Sequence, residues 1–442
     1  MPRLVKESVT RTLIKMAVPM LAGSFSLSAY NLTDTWFVSR LGTTALAAMA
    51  FTFPVVLLLR FVMHGLGTGA MAVVARALGG NKHHTATRLT THGILLIFII
   101  SCLITIAGIM TIRPIFVHLG ATGEILFMTR QFMTIWYCGM PVMALQLMLG
   151  SVIIGAGNAK AASFLMVAGT LINFILDPIM IFGLIGFPRM EIQGAAIATV
   201  LSQAAVLAVA IYIIHTKHQL ISFSLYSAKK IFVSWKRILS IGLPSVLSSI
   251  LTPLSSAVVI AIIASFDSSA VAAFGVASRI EIFAFMIPMT VGMSLIPFVA
   301  QNYGAKRFDR IRTARKGAMI FALIFGFITA GLFFIIARPM ASLFSNDPDV
   351  IRVLVKYICI TCFGYGFLEV HRYAGFCMTG IHKPVSSVIL NSIRVVLLLI
   401  PLSLLGARLF GLSGIFWGRL ITDFLCGIIG IVWTGRILRT MR

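Results

Sequence analysis

Acidic side chains are scarce in this 442-residue chain. Twelve Asp and Glu stand against 36 Lys and Arg, and charged residues of both signs make up only 11%. Soluble domains carry about 25%, so a single water-facing globule is excluded. The six cysteines (Cys102, Cys138, Cys359, Cys362, Cys377 and Cys426) all fall in apolar stretches. Cys359-x-x-Cys362 has no second pair, so neither a metal site nor a disulfide framework is expected. The sequence has no HExxH, GxSxG or P-loop and no filter-like stretch, which argues against a membrane enzyme and against a channel.

What is abundant is apolar sequence. Hydrophobic residues make up 59% and mean hydropathy is +1.01. The apolar runs are too many and too long for signal peptides or buried core helices, so the chain reads as an all-α polytopic membrane protein. About twelve spans are expected, near 11–38, 46–77, 88–112, 126–155, 160–184, 192–216, 236–264, 270–302, 313–341, 350–380, 383–405 and 412–438. The net charge of +24 is not a nucleic-acid patch, because the bases recur in alternate connections. They include Arg3, Lys6, Arg11 and Lys15 at the N-terminus, and Lys217, Lys229, Lys230, Lys236 and Arg237 after the sixth span. Lys306, Arg307, Arg310, Arg312, Arg315 and Lys316 follow the eighth, and Arg436, Arg439 and Arg442 close the chain. Under the positive-inside rule both termini are cytoplasmic.

The chain repeats itself. A slide of 225 residues sets Pro19 on Pro244, Gly67 on Gly292, Ala75 on Ala300 and Gly79 on Gly304. Two parallel six-helix lobes follow, 1–216 and 236–442, joined by a cytoplasmic linker over 217–235. The slide sets Val259 opposite Asp34, so only the first lobe carries that acid.

Several pieces occur in a telling order: Ala17-Val18-Pro19, Asn31-Leu32-Thr33-Asp34-Thr35, Ala75-Arg76-Ala77-Leu78-Gly79, Asn173-x-x-x-Asp177-Pro178, Gly194-Ala195-Ala196-x-Ala198-Thr199 and Ala277-Ser278-Arg279-Ile280-Glu281. In duplicate lobes they resemble the multidrug and toxic compound extrusion (MATE) transporters, most closely the DinF-like bacterial branch. The resemblance implies two six-helix bundles and secondary active export of cationic or amphiphilic compounds in exchange for H⁺ or, as the alternative, Na⁺. It also implies a monomer in the bacterial inner membrane, with no cofactor beyond the coupling ion. It assigns coupling roles to Asp34, Asn173, Asp177 and Thr199. The acid that the NorM-like branch places on the seventh span is missing between Ile241 and Ser265. A lipid or cell-wall precursor flippase of the same wider fold group is the rival reading.

The residues themselves support that chemistry. Acids at membrane depth mark ion, proton or substrate paths. Tyr30 with Asp34, and Asn173 with Asp177, are spaced i, i+4 and so share helix faces. If the faces meet, two carboxylates, a carboxamide and the hydroxyls of Tyr30 and Thr199 surround one small volume. Two carboxylates cannot both stay ionised cheaply there, so the pair takes up one proton, or a Na⁺, or the charge of a drug. Pro19, four turns before Asp34, is a candidate hinge. Met63, Met140, Met143 and Met180 are candidates to line a substrate cavity, since methionine adapts to many shapes. In the second lobe Arg279, Glu281, Glu369, His371, Arg372, Arg394, Arg419 and Asp423 form a candidate polar network, with Arg419 and Asp423 expected to pair. That network is either structural or a second proton path.

Overall fold

The computed structural model describes residues 3–222 and 227–441. Residues 223–226 of the expected linker and the basic Arg442 lie outside this description. Helices fill almost all of the rest, with no strand among the described residues. In chain order they are α1 Arg3–Lys6, α2 Val9–Ser39, α3 Thr43–Gly79, α4 His83–His118, α5 Gly123–Cys138, α6 Met140–Gly155, α7 Ala159–Phe182, α8 Glu191–Tyr212, α9 Ala228–Ala264, α10 Ser268–Gly304, α11 Phe308–Phe344, α12 Pro348–Thr361, α13 Tyr365–Gly380, α14 Pro384–Ser392 and α15 Ile400–Arg439.

Ten helical stretches are each long and apolar enough to cross a bilayer, and α5 with α6 make one more span, bent by 51° between them. The sequence reads 126–155 as one span, long enough for a tilt or a kink to be expected. The break follows from Gly139, with Pro141 in the first turn of α6, where a missing N–H costs nothing. The last stretch, Pro384–Arg439, has 56 residues. It contains Gly411 at φ 59°, ψ −146°, which is not helical. On either side of it the chain meets itself. A Cβ on Gly406 or Gly414 would strike the other's backbone carbonyl, and one on Gly418 would lie 2.7 Å from the Leu402 carbonyl. Residues eight apart in a straight helix stand about 12 Å apart, so the chain folds back at Gly411 and this stretch is two spans. Among the described residues the total is twelve. Gly414→Leu is expected to prevent folding of this hairpin, because backbone cannot yield as a side chain can. Its removal of monodisperse protein from detergent extracts, beside an unaffected Gly331→Leu, which meets nothing within 4 Å, is the check.

The duplication is visible in the turns. Asn81 N–H bonds to Leu78 O and Lys82 N–H to Ala77 O, and 225 residues later Lys306 bonds to Tyr303 and Arg307 to Asn302. Asn81 and Lys306 share a φ of 58°. A second turn repeats likewise, with Asn158 to Ile153 matched by Lys383 to Met378.

Contacts divide the chain into two compact units: Val18–Val246, and Arg3–Ala17 with Leu247–Arg442. The sequence reading placed residues 3–17 in the first lobe and ended that lobe at 216. The N-terminal half of α9 groups with the first unit because it is laid on α4 and α3. Trp235 Nε1 donates to His92 O at 2.9 Å, Ser234 Oγ lies 2.9 Å from His92 Nδ1, and Gly69 lies against Ile238 and Gly242.

Residues 3–17 group with the second unit for equally specific reasons. Leu4 and Val5 are buried. Arg310, on α11, donates to Leu4 O at 3.2 Å and Glu7 O at 2.5 Å, and through Nε to Asn302 Oδ1 at 2.9 Å. Asn302 in turn donates to Leu4 O at 3.2 Å. Helix α2 runs unbroken through Pro19, two residues past the division between the units.

Candidate functional site

Three helices of the first unit bring the predicted residues together. Helix α2 supplies Tyr30 and Asp34, α7 supplies Asn173 and Asp177, and α8 supplies Thr199. Helices α7 and α8 approach closely because Gly194 has no side chain. A Cβ there would come within 2.5 Å of the Met180 carbonyl. Helix α2 is fixed on α7 at two levels. Thr170 Oγ1 donates to Ser26 O at 3.2 Å, and the Phe37 ring packs on Phe174 and Phe182 at 5.8 and 6.3 Å. Asp34 lies between these levels.

The polar atoms at that depth are only partly satisfied. The Tyr30 and Thr199 hydroxyls are 2.8 Å apart. Asn173 Nδ2 donates to Asp177 Oδ1 at 3.0 Å. Asn173 and Asp177 have no solvent exposure, and Asp34 has 8%. Asp34 Oδ1, Asn173 Oδ1 and Asp177 Oδ2 are buried and accept no hydrogen bond from the protein. An unsatisfied buried polar atom costs about 1–3 kcal/mol, and more when charged. Three such oxygens on neighbouring helices form an acceptor set that a proton or a small cation can satisfy. The two carboxylates lie within electrostatic reach of each other.

Arg60 is the residue of this site that sequence reasoning missed. It sits in Leu57-Leu58-Leu59-Arg60-Phe61, inside α3. Its guanidinium carbon is 6.0 Å from the Tyr30 ring centre. It lies within electrostatic reach of Asp34. Among the described residues it makes no ion pair within 4.0 Å. A base inside an apolar run was the available signal. By contrast Arg40, the natural surface partner for Asp34, instead stacks on Trp36 at 5.0 Å.

Met63, Met140, Met143 and Met180 are all buried. Met63 lines a cavity of about 10 Å³ with Leu66, Ile97, Ile100 and Ala144. That is room for roughly one water.

The second unit holds its own network, in which the expected pair of Arg419 and Asp423 is present but long and each member has a shorter partner elsewhere. Arg419 lies 3.9 Å from its i+4 neighbour Asp423, but its short ion pair is with Glu281 at 2.9 Å. Asp423 is claimed by Arg394 at 2.9 Å. Helix spacing placed Arg419 and Asp423 on one face, but Glu281 and Arg394 approach from other helices and win them. Tyr357 and Tyr365, which sequence reasoning passed over, donate to Glu281 Oε1 at 2.8 and 3.1 Å, and Arg419 also bonds the Tyr357 hydroxyl. Glu369 pairs with Arg372 at 2.5 Å, Arg372 covers the Phe285 ring at 4.9 Å, and His371 is buried nearby. Arg279 is exposed and stands outside the network, contrary to expectation. Its position in the motif carried no information about which face of α10 it takes.

A doubled helical bundle with unsatisfied acids inside its apolar spans has the architecture of a membrane transporter. The MatE family model matches residues 19–179 and again 244–405, beginning at the two equivalent prolines. The chain therefore belongs to the MATE family of transporters. It is 35% identical to a Shewanella oneidensis protein named FAD transporter, over 96% of this chain and 94% of that one. It is 24% identical to the multidrug export protein MepA of Staphylococcus haemolyticus, over 96% and 93%. Among solved structures, the Vibrio cholerae MATE transporter VcmN in its bent form superposes with a TM-score of 0.93 at 29% identity, covering 98% of both chains.

Proposed function

We propose that this protein is a secondary active antiporter of the inner membrane that exports cationic or amphiphilic compounds by alternating access, in exchange for inward H⁺. Na⁺ is the alternative occupant of the same site. The observation that carries this reading is the set of three buried oxygens, Asp34 Oδ1, Asn173 Oδ1 and Asp177 Oδ2, that accept no hydrogen bond. A proton or a monovalent cation satisfies it, and such occupants exclude one another. The basic residues at both ends and in the alternate connections support cytoplasmic termini.

A second substrate reading is favoured by one specific observation, the 35% identity to the FAD transporter over nearly the full length of both chains. The multidrug relative is more distant, at 24%. A dinucleotide is anionic, so it would be held away from the acid pair, and proton uptake would act on it through helix movement. Proteoliposomes loaded with ethidium or with FAD, under separately imposed H⁺ and Na⁺ gradients, decide among these. Efflux of ethidium driven by H⁺ supports the first reading. Efflux of FAD alone replaces its substrate, and drive by Na⁺ alone replaces its ion. Transport of neither cargo overturns it.

Helix movement has a candidate pivot. Pro19 leaves one backbone carbonyl without its helical partner and lies at the division between the units. Pro19→Ala is expected to lower efflux about tenfold or more while expression and cation binding persist. Efflux at the wild-type rate would remove Pro19 from the mechanism.

A further inference from the structure

We propose that Arg60 sets the capacity of the Asp34–Asp177 site at a single positive charge, so that one proton, one Na⁺ or one monovalent organic cation fills it and exchange is one for one. This deepens the antiport reading above and rests on it.

The argument is a count of charges in a place where uncompensated charge is costly. The charged or titratable groups that face the site are Tyr30 and Asp34 from α2, Arg60 from α3 and Asp177 from α7. Helix α8 contributes Thr199 and Ser202, which carry no charge. His64, one turn beyond Arg60 on the same helix, is exposed and is not counted in the site. With Tyr30 neutral, two carboxylates and one guanidinium leave the ligand-free site at minus one. A single cation or proton neutralises it, and a second would recreate the imbalance with the opposite sign.

Geometry explains how Arg60 can act without occupying the site. Its guanidinium carbon stands 6.0 Å from the Tyr30 ring centre and is not within ion-pair distance of either acid. Its charge therefore offsets one carboxylate at a distance, while the unsatisfied oxygens of Asp34, Asn173 and Asp177 stay free for a ligand. The second unit shows the contrasting arrangement. There Glu281, Glu369 and Asp423 are met by Arg419, Arg372 and Arg394, three against three, in direct ion pairs. A network already neutral has no charge to exchange, which accounts for the uptake of a cation in the first unit alone.

The test uses the full chain in detergent with tetraphenylphosphonium as the probe, and in proteoliposomes with ethidium. Asp34→Asn leaves Asp177 against Arg60, a neutral site, and is expected to abolish binding of the probe. Asp34→Asn combined with Arg60→Gln returns the site to minus one, and binding is expected to come back. No role of Arg60 in mere packing yields that rescue. In liposomes, protons and ethidium are expected to exchange one for one at zero net flux in wild type and in Arg60→Lys, whereas Arg60→Gln without substrate is expected to take up two protons where wild type takes up one. Failure of the double variant to bind, with its fold intact by gel filtration, overturns the proposal, as does a proton-to-ethidium ratio other than one in wild type. If wild type moves no ethidium at all, the antiport reading fails separately. The capacity is then read without substrate, as protons taken up across the neutral range that the Asp34→Asn, Asp177→Asn pair loses. One in wild type and two in Arg60→Gln sustain the proposal, and equal counts overturn it.

Discussion

Asp34→Asn is expected to reduce proton-driven ethidium efflux to the level of empty liposomes while leaving the fold intact. The asparagine side chain matches the shape of a protonated aspartate but cannot release a proton, so the site is held in one charge state. Stability should change little, within about 1 kcal/mol, because Asp34 Oδ1 accepts no hydrogen bond that the substitution could break. Replacing a buried carboxylate by a neutral amide also removes a desolvation cost. Thermal unfolding in detergent and efflux in liposomes measure the two halves of this prediction. Normal transport by the variant would make Asp34 structural and move the search to Glu281, Glu369 and His371 in the second unit.

Arg419→Ala is expected to act in the reverse way, with a large effect on stability. Arg419 holds Glu281 at 2.9 Å, and both side chains are largely buried, at 15% and 12% exposure. Removing one member of a buried ion pair typically costs about 3–5 kcal/mol, because the partner is left charged and unmatched. Glu281 would keep the Tyr357 and Tyr365 hydroxyls as donors, which softens the loss without cancelling it. The double variant Arg419→Ala, Glu281→Gln should recover a good part of the stability, since the stranded charge is gone. A cycle of the four proteins, followed by thermal unfolding, measures the coupling. Independent, additive losses would show that the two side chains do not act as a pair.

Much of this was legible in the chain. The number of spans followed from hydropathy. The offset of 225 residues, read from Pro19 and Pro244, recurs in the backbone bonds of the interhelical turns and in the two family-model matches. Helical spacing placed Asn173 beside Asp177, because i, i+4 neighbours lie one above the other. What spacing cannot supply is the partner on another helix. Arg419 and Asp423 satisfy the same rule, yet each is held more closely by a residue far away in sequence. The sequence assigns Arg60 no role because the bases that set orientation lie in connections, whereas this one lies within a span. The exposure of Arg279 was hidden for a related reason, since a motif fixes order along the chain and not the face that a side chain occupies. The break at Gly139 was masked by apolar sequence that continues across it.

The clasp around the first residues has a consequence for biogenesis. Leu4 leaves the ribosome 298 positions before Asn302 and 306 before Arg310, the residues that hold its carbonyl. At about 5–20 residues per second, synthesis takes roughly 15 to 60 s to bridge that gap. Through that interval α2 must be threaded into the bilayer with its leading segment undocked, and the docking of Leu4 and Val5 waits until α10 and the start of α11 have been made. A bulky fusion at the N-terminus therefore burdens a step that follows the insertion of α2 rather than the insertion itself, and a gene divided at the linker would separate residues 3–17 from the half of the molecule in which they are seated.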